Sequence, residues 1–145
     1  MSEALKKIIT PVDGSEGCAK AARFAARLAK AVGAELELVH VYDSTVISVM
    51  GLNALTGKEI DDAVQRVSKA YFEGARRAME DDSVVSREVV RVGSPSSEIV
   101  AFAEDEQPDL IVMGTRGHTE FKKLFLGSIS SQVLQHAPCP VTVVR

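Results

Sequence analysis

The chain has 145 residues, 46% hydrophobic and 26% charged, which is the composition of one globular domain and excludes a disordered or fibrous chain. Its 17 Lys+Arg against 20 Asp+Glu give a net charge of −3, which argues against a basic face for nucleic acid or an anionic membrane. Only two cysteines occur, Cys18 and Cys139, so a disulfide framework and a zinc cluster lack raw material, and no apolar run reaches the ~20 residues of a membrane span. With no apolar leader at Met1–Lys7, the expectation is one domain over residues 1–145, soluble and cytoplasmic.

Along the chain, β-branched runs alternate with segments of helical spacing. The first strand reads Lys7 to Val12, and a helix follows in which Ala21, Phe24, Ala25, Leu28 and Val32 share a face. A second strand, Leu36 to Val41, leads into an unusually long connection from Asp43 to Gly57. Val46, Ile47, Val49, Met50, Leu52 and Leu55 make it apolar, as in a packing loop, a subunit contact or a lid beside a ligand. The next helix carries Ile60, Ala63, Val64, Val67 and Tyr71 on one face and ends near the acidic run Glu80-Asp81-Asp82, expected as a solvated helix end. A third strand, Val84 to Val92, bears Ser86, Arg87, Glu88 and Arg91 and suits a sheet edge. Ser94 as N-cap and Pro95 at N1 start a helix to Glu106. The fourth strand is Leu110 to Met113, the last helix runs from Ser128 to about His136, and the fifth strand is Val141 to Val144.

The order βαβαβαβαβ implies parallel strands joined by crossover helices, since a hairpin cannot reach a parallel neighbour. Right-handed crossovers with the most apolar strands central give an open α/β sheet of order 3-2-1-4-5, helices on both faces. Ligands of such sheets bind outside the carboxyl ends of the strands where the winding reverses, here between strands 1 and 4.

After strand 4, Gly114 falls at the strand end, Gly117 three residues later and Gly127 just before the last helix. Missing side chains let backbone N–H groups approach an anion, and the helix start adds donors and a positive dipole end. Ser128 offers a hydroxyl and a cap. Arg116, Lys122 and Lys123 against Glu120 reverse the sign of an otherwise acidic chain. Asp13, ending strand 1 in Pro11-Val12-Asp13-Gly14-Ser15, faces the same crevice, where a carboxylate can accept ribose hydroxyls. Capping of the first helix through Asp13 or Ser15 is the competing role. Of the three histidines, His118 in the glycine loop is the ligand contact, whereas His40 reads as a core or cleft residue and His136 as a helix-end residue.

The run Gly114-x2-Gly117-x9-Gly127-Ser128 resembles the nucleotide-binding signature of universal stress proteins. So do the opening Ile8-Ile9-Thr10-Pro11-Val12-Asp13-Gly14-Ser15, the strand Leu38-Val39-His40-Val41 and the closing Ala137-Pro138-Cys139-Pro140-Val141-Thr142-Val143-Val144. The resemblance spans essentially the whole chain. It implies a flavodoxin-like sheet, of the adenine nucleotide alpha hydrolase-like kind, in the ATP-binding branch of that family. Asp13 would then hold the ribose, with Pro11, Val12 and Val41 framing the adenine. Gly114, Arg116, Gly117, Gly127, Ser128, Ile129 and Ser130 would surround ribose and phosphates. Met113 and His118 complete the candidate contacts, and Mg²⁺ or Mn²⁺ would be held mainly through the phosphates.

The sequence has no GxxxxGK[ST], no GxGxxG after strand 1, no GxSxG, and no acceptor aspartate at the end of strand 3. No carboxylate or histidine is evidently placed to activate water at a γ-phosphate, so a nucleotide-dependent regulator, at most a slow ATPase, is the leading expectation. A nucleotide-independent interaction module of the same fold is the alternative, and an enzyme acting on an adenosine-containing substrate has no dedicated group. The apolar edge strand Val141-Thr142-Val143-Val144 invites pairing with a second copy, and the resemblance implies the same homodimer.

Overall fold

The computed structural model describes residues 4–49, 56–115 and 127–145. Strands β1 (Lys7–Pro11), β2 (Glu35–Asp43), β3 (Val85–Gly93), β4 (Leu110–Gly114) and β5 (Val141–Val144) form one parallel sheet of order β3-β2-β1-β4-β5, the order expected. Helices α1 (Glu16–Val32), α2 (Ser44–Val49), α3 (Gly57–Ala78), α4 (Pro95–Glu106) and α5 (Ser128–His136) fill the crossovers. Among the described residues, no helix is long and apolar enough to cross a membrane.

Pleating divides the strand residues between two cores. Ile8, Leu36, Leu38, Leu110 and Val112 pack with α1 and α3, whereas Ile9, Val39, Ile111 and Met113 pack with Ile99, Phe102 and Ala103 of α4 and Val133 of α5. These inward positions are apolar on both faces of the sheet, as a doubly covered sheet requires.

Both long helices turn differently from the expectation. In α1 the buried stripe is Cys18, Ala21, Ala22, Ala25, Ala26 and Ala29, while Phe24 and Val32 are exposed. Alanines bury completely and let the helix lie close to the sheet, a position that Phe24 would prop open. In α3 the buried residues are Val64, Ser68, Phe72 and Ala75, and of the expected stripe Ile60, Ala63, Val67 and Tyr71 are only half-buried. Ser68, a polar residue outside the expected stripe, lies fully buried because its Oγ is 2.8 Å from Nδ1 of His40 on β2, which satisfies both groups.

Three boundaries also differ. The connection after β2 begins with α2, where Asp43 accepts hydrogen bonds from the backbone N and Oγ1 of Thr45 at 2.9 and 2.7 Å. Its residues Met50, Leu52 and Leu55 lie outside the described residues. Val84, expected to begin β3, ends a 3-10 turn over Asp82–Val84. The acidic run lies past the end of α3 and is paired rather than merely solvated: Glu80 with Arg23, Asp81 with Lys30, and Asp82 with Arg76. Each carboxylate has a cation, which offsets the unfavourable placement of negative charge beside a helix C-terminus.

Candidate functional site

The site is assembled where β1 and β4 end side by side. A hydrogen bond from Val12 N to Val39 O at 2.8 Å carries the β1–β2 ladder beyond Pro11 and fixes the chain that delivers Asp13. Asp13 Oδ1 accepts from the backbone N of Ser15 at 2.9 Å and from its hydroxyl. Ser15 is the N-cap of α1, its Oγ accepting from Cys18 N at 3.1 Å. The two roles open to this pair are thus divided: Ser15 caps, and Asp13 orients the cap while lining the crevice.

Gly14 and Gly114 make the crevice narrow. Gly14 has φ +79°, and a Cβ there would stand 2.5 Å from the ring of Tyr71. A Cβ on Gly114 would stand 2.8 Å from the carbonyl oxygen of Gly17, so the end of β4 touches the start of α1 backbone to backbone. Burial pushes the nearby Cys18 thiol up to about 12, and its Sγ donates to the Pro11 carbonyl at 3.4 Å, so this cysteine is inert at neutral pH.

The start of α5 closes the other side. Thr115 N donates to Val144 O at 3.2 Å, and Gly127 N donates to Thr115 O at 2.6 Å. Gly127, not Ser128, is the N-cap, and no side chain caps the helix; Ser128 is exposed. The Ser130 hydroxyl turns inward onto the carbonyls of Gly114 and Thr115, at 2.7 and 3.2 Å, and so locks α5 to β4. Its hydroxyl proton serves that lock.

Two chambers result. The smaller, of about 70 Å³, is bounded by Pro11, Val12, Asp13, Val39, Val41, Ile99, Met113, Gly114, Ile129 and Ser130. The larger, of about 520 Å³, is lined by Asp13, His40 to Asp43, Val46, Val67, Tyr71 and Gly127 to Ser130. Of the candidate residues, Pro11, Val12, Asp13, Val41, Met113, Gly114, Gly127, Ser128, Ile129 and Ser130 are therefore brought together. Arg116, Gly117 and His118 lie outside the described residues, as do Glu120, Lys122 and Lys123. Sequence reasoning does not place Tyr42, Val67 or Tyr71 in the lining; it leaves His40 between core and cleft, and Val46 among a packing loop, a subunit contact and a lid beside the ligand. The i, i+4 spacing of Val67 and Tyr71 is visible in the sequence, but by pattern alone it reads as core.

His40 is buried, its imidazole edge-on to Tyr71 at 4.9 Å and to Tyr42 at 6.3 Å. Burial lowers its basicity below the ordinary histidine range, against the smaller upward pull of Asp13. Among the described residues, no group of three or more His, Cys, Asp or Glu could hold a metal ion.

This architecture has close parallels. The sequence profile of the "Universal stress protein family" matches residues 4–145. Universal stress protein MJ0531 of Methanocaldococcus jannaschii is 36% identical over 141 residues, covering 97% of this chain and 82% of its own. The solved structure of the protein MJ0577 from the same organism superposes with a TM-score of 0.78 at 32% identity, over 98% of this chain and 96% of that one. The universal stress protein from Archaeoglobus fulgidus in complex with dAMP has the same fold, with a TM-score of 0.61 at 21% identity over 99% and 100% of the two chains. With its profile matched almost end to end and its sheet order reproduced, the chain belongs to the universal stress protein family.

Proposed function

We propose that the chain is an ATP-binding regulatory protein of its family, acting through its nucleotide state. The observation that carries this reading is a small apolar chamber at the ends of β1 and β4 that opens onto an uncapped helix N-terminus. An adenine suits the chamber framed by Pro11, Val12, Val41 and Met113, and Asp13 at its mouth suits the ribose hydroxyls. The first backbone N–H groups of α5, at Ser128, Ile129 and Ser130, then meet the phosphates, with Gly114 and Gly127 keeping the approach open. Arg116, Gly117 and His118 belong to the same assignment on sequence grounds. The dAMP held by the Archaeoglobus fulgidus protein supports an adenine nucleotide as the ligand class.

The phosphates would carry Mg²⁺ or Mn²⁺, because among the described residues no group of three or more His, Cys, Asp or Glu could hold a metal ion and Asp13 is assigned to the ribose. Fast turnover is not part of the reading. His40 commits Nδ1 to Ser68 and is assigned no role at a γ-phosphate, so hydrolysis, where it occurs, is slow. Among the described residues β5 is an edge strand paired with β4, and a second copy pairing along Val141–Val144 would cover it in a homodimer.

Heat-denaturing the purified protein and assaying the supernatant should release ATP or ADP. Titration with Mg-ATP should then show binding that Asp13→Asn weakens at least ~10-fold, about 1.4 kcal/mol. The asparagine Oδ1 keeps an acceptor for Ser15, so its melting temperature should hold. Gly127→Val should abolish binding with the helical signal intact, because φ −63° and ψ 162° at this position suit any residue. A bare protein that takes up no added Mg-ATP overturns the reading. A monomer in sedimentation at micromolar concentration overturns the dimer.

A further inference from the structure

Among the described residues, four large hydrophobic side chains are exposed: Phe24, Val32, Val92 and Leu134. Three of them gather round one edge of the sheet, on both of its faces. On α1, Phe24, Leu28 and Val32 follow one another at i, i+4 and i+8 as a single stripe. The opposite flank of α1 carries Arg23 and Lys30, which reach Glu80 and Asp81 beyond the end of α3. The apolar stripe therefore lies on the flank away from α3 and toward β5, where Leu28 and Val144 pack on the same core. On the other face of the sheet, Gln132 and His136 line the groove between α5 and α4. Leu134 lies on the far flank of α5, about 100° round the helix from the buried Val133, and so again faces the β5 edge.

The two edges of the sheet are built differently. β3 carries Arg87, Glu88 and Arg91, paired with Glu106, Arg76 and Glu98, and such charges keep another strand away. β5 carries no charge, and all four of its residues are only half-buried. A strand of four residues is about 13 Å long, too short to bury by itself the ~800 Å² per partner of a stable interface. A contact that holds at this edge needs the helical flanks as well.

Two identical edges exchange hydrogen bonds by antiparallel pairing about a two-fold axis normal to the sheet. That axis keeps like faces together, with α1 beside its own copy on one face and α5 beside its own copy on the other. Each apolar flank then meets an identical apolar flank, the self-complementarity that a two-fold contact requires.

We propose that the occupant of this surface is a second copy of the chain, held by a three-layered interface. The α1 flank of Phe24, Leu28 and Val32 closes it on one face, the paired β5 strands form its middle, and Leu134 of α5 closes it on the other. This rests on the reading of β5 as the homodimer edge and adds the helices that make that edge hold.

Sedimentation equilibrium of the full chain and its variants tests it, with circular dichroism to confirm that each is folded. Phe24→Glu and Leu134→Glu should each raise the dimer dissociation constant at least ~10-fold, and the double variant should be a folded monomer at micromolar concentration. Phe24→Ser, which adds no charge, should act in the same direction, and Phe24→Leu should retain the dimer. Val92→Glu, the same kind of change at the far edge, should stay within ~3-fold of the wild type. A dimer that Phe24→Glu, Phe24→Ser and Leu134→Glu all leave intact overturns the proposal, with pairing along β5 still standing. Equal weakening by Val92→Glu also overturns it, because the effect then belongs to added charge. A wild-type chain that is monomeric at micromolar concentration assigns the surface to a different protein and overturns the dimer and this proposal together.

Discussion

The two ends of the sheet treat their carboxylates in opposite ways. At the amino ends, Asp109 accepts from the backbone N of Lys6 and Lys7 at 2.8 and 3.0 Å, and Glu37 lies buried with Lys7 Nζ at 3.9 Å and Arg87 Nη1 at 3.6 Å. These acids are used by the fold itself. At the carboxyl ends, Asp13 commits one oxygen to the cap of α1 and lines both chambers. Burial of a carboxylate therefore does not mark the site here: Glu37, buried among the described residues, lines neither chamber. The distinction lies in what surrounds the acid, strand backbone and cations at one end and an open cleft at the other.

Forcing the carboxyl end apart should give the largest effect. Gly114→Val drives a branched side chain into the Gly17 carbonyl, and is expected to cost about 2–3 kcal/mol in denaturant unfolding and to abolish nucleotide binding. A variant with wild-type stability would show that β4 and α1 can separate without strain.

At the amino end the effects should be confined to stability. Asp109→Ala removes the acceptor of the Lys6 and Lys7 backbone N–H groups and is expected to cost about 1–2 kcal/mol at pH 7, with Mg-ATP affinity unchanged. Those backbone donors hold the Asp109 carboxyl below the usual aspartate range. A depressed folded value means stability that is fully present above the unfolded value of ~3.9 and is lost as pH falls through the folded one. The gap between wild type and Asp109→Ala should accordingly shrink below about pH 4. A gap independent of pH would assign the effect to packing.

The smallest effect should have the opposite slope. Burial raises the Glu37 carboxyl above its ordinary range, outweighing the opposing pulls of Lys7 and Arg87. Folding then favours the protonated acid, so the ionised form opposes stability at neutral pH and the opposition fades as pH falls through the raised value. Glu37→Gln is expected to stabilise at pH 7 by less than about 1 kcal/mol, with the gain vanishing in acid. A clear loss of stability at pH 7 would mean that the pairs with Lys7 and Arg87 outweigh desolvation.

The strands were legible in the sequence because a doubly covered sheet needs uninterrupted apolar runs, and Ile8-Ile9, Leu110 to Met113 and Val141 to Val144 have no other use. Pro95 and Gly127 marked helix starts for local reasons that survive in the structure. Helix phase was less legible. Choosing between Phe24 and Ala22 on α1 depends on how near the sheet lies, which no window of sequence contains. Ser68 looks like surface until His40, 28 positions earlier, is set beside it by the β2–α3 crossover. The short α2 has too few residues for a period to show. The residues assigned to the cleft from sequence come from strand ends and from the Gly127–Ser130 start, where chain position alone dictates place. The aromatic wall draws on α3, whose rotation has to be known first.

The lock between β4 and α5 has a mechanical consequence. Gly127 N donates to Thr115 O at 2.6 Å, Thr115 N donates to Val144 O at 3.2 Å, and Ser130 fastens the same segments. The start of α5 therefore hangs from the ends of β4 and β5 rather than from a side-chain cap of its own, so a pull on the edge strand is passed through these bonds to the helix start.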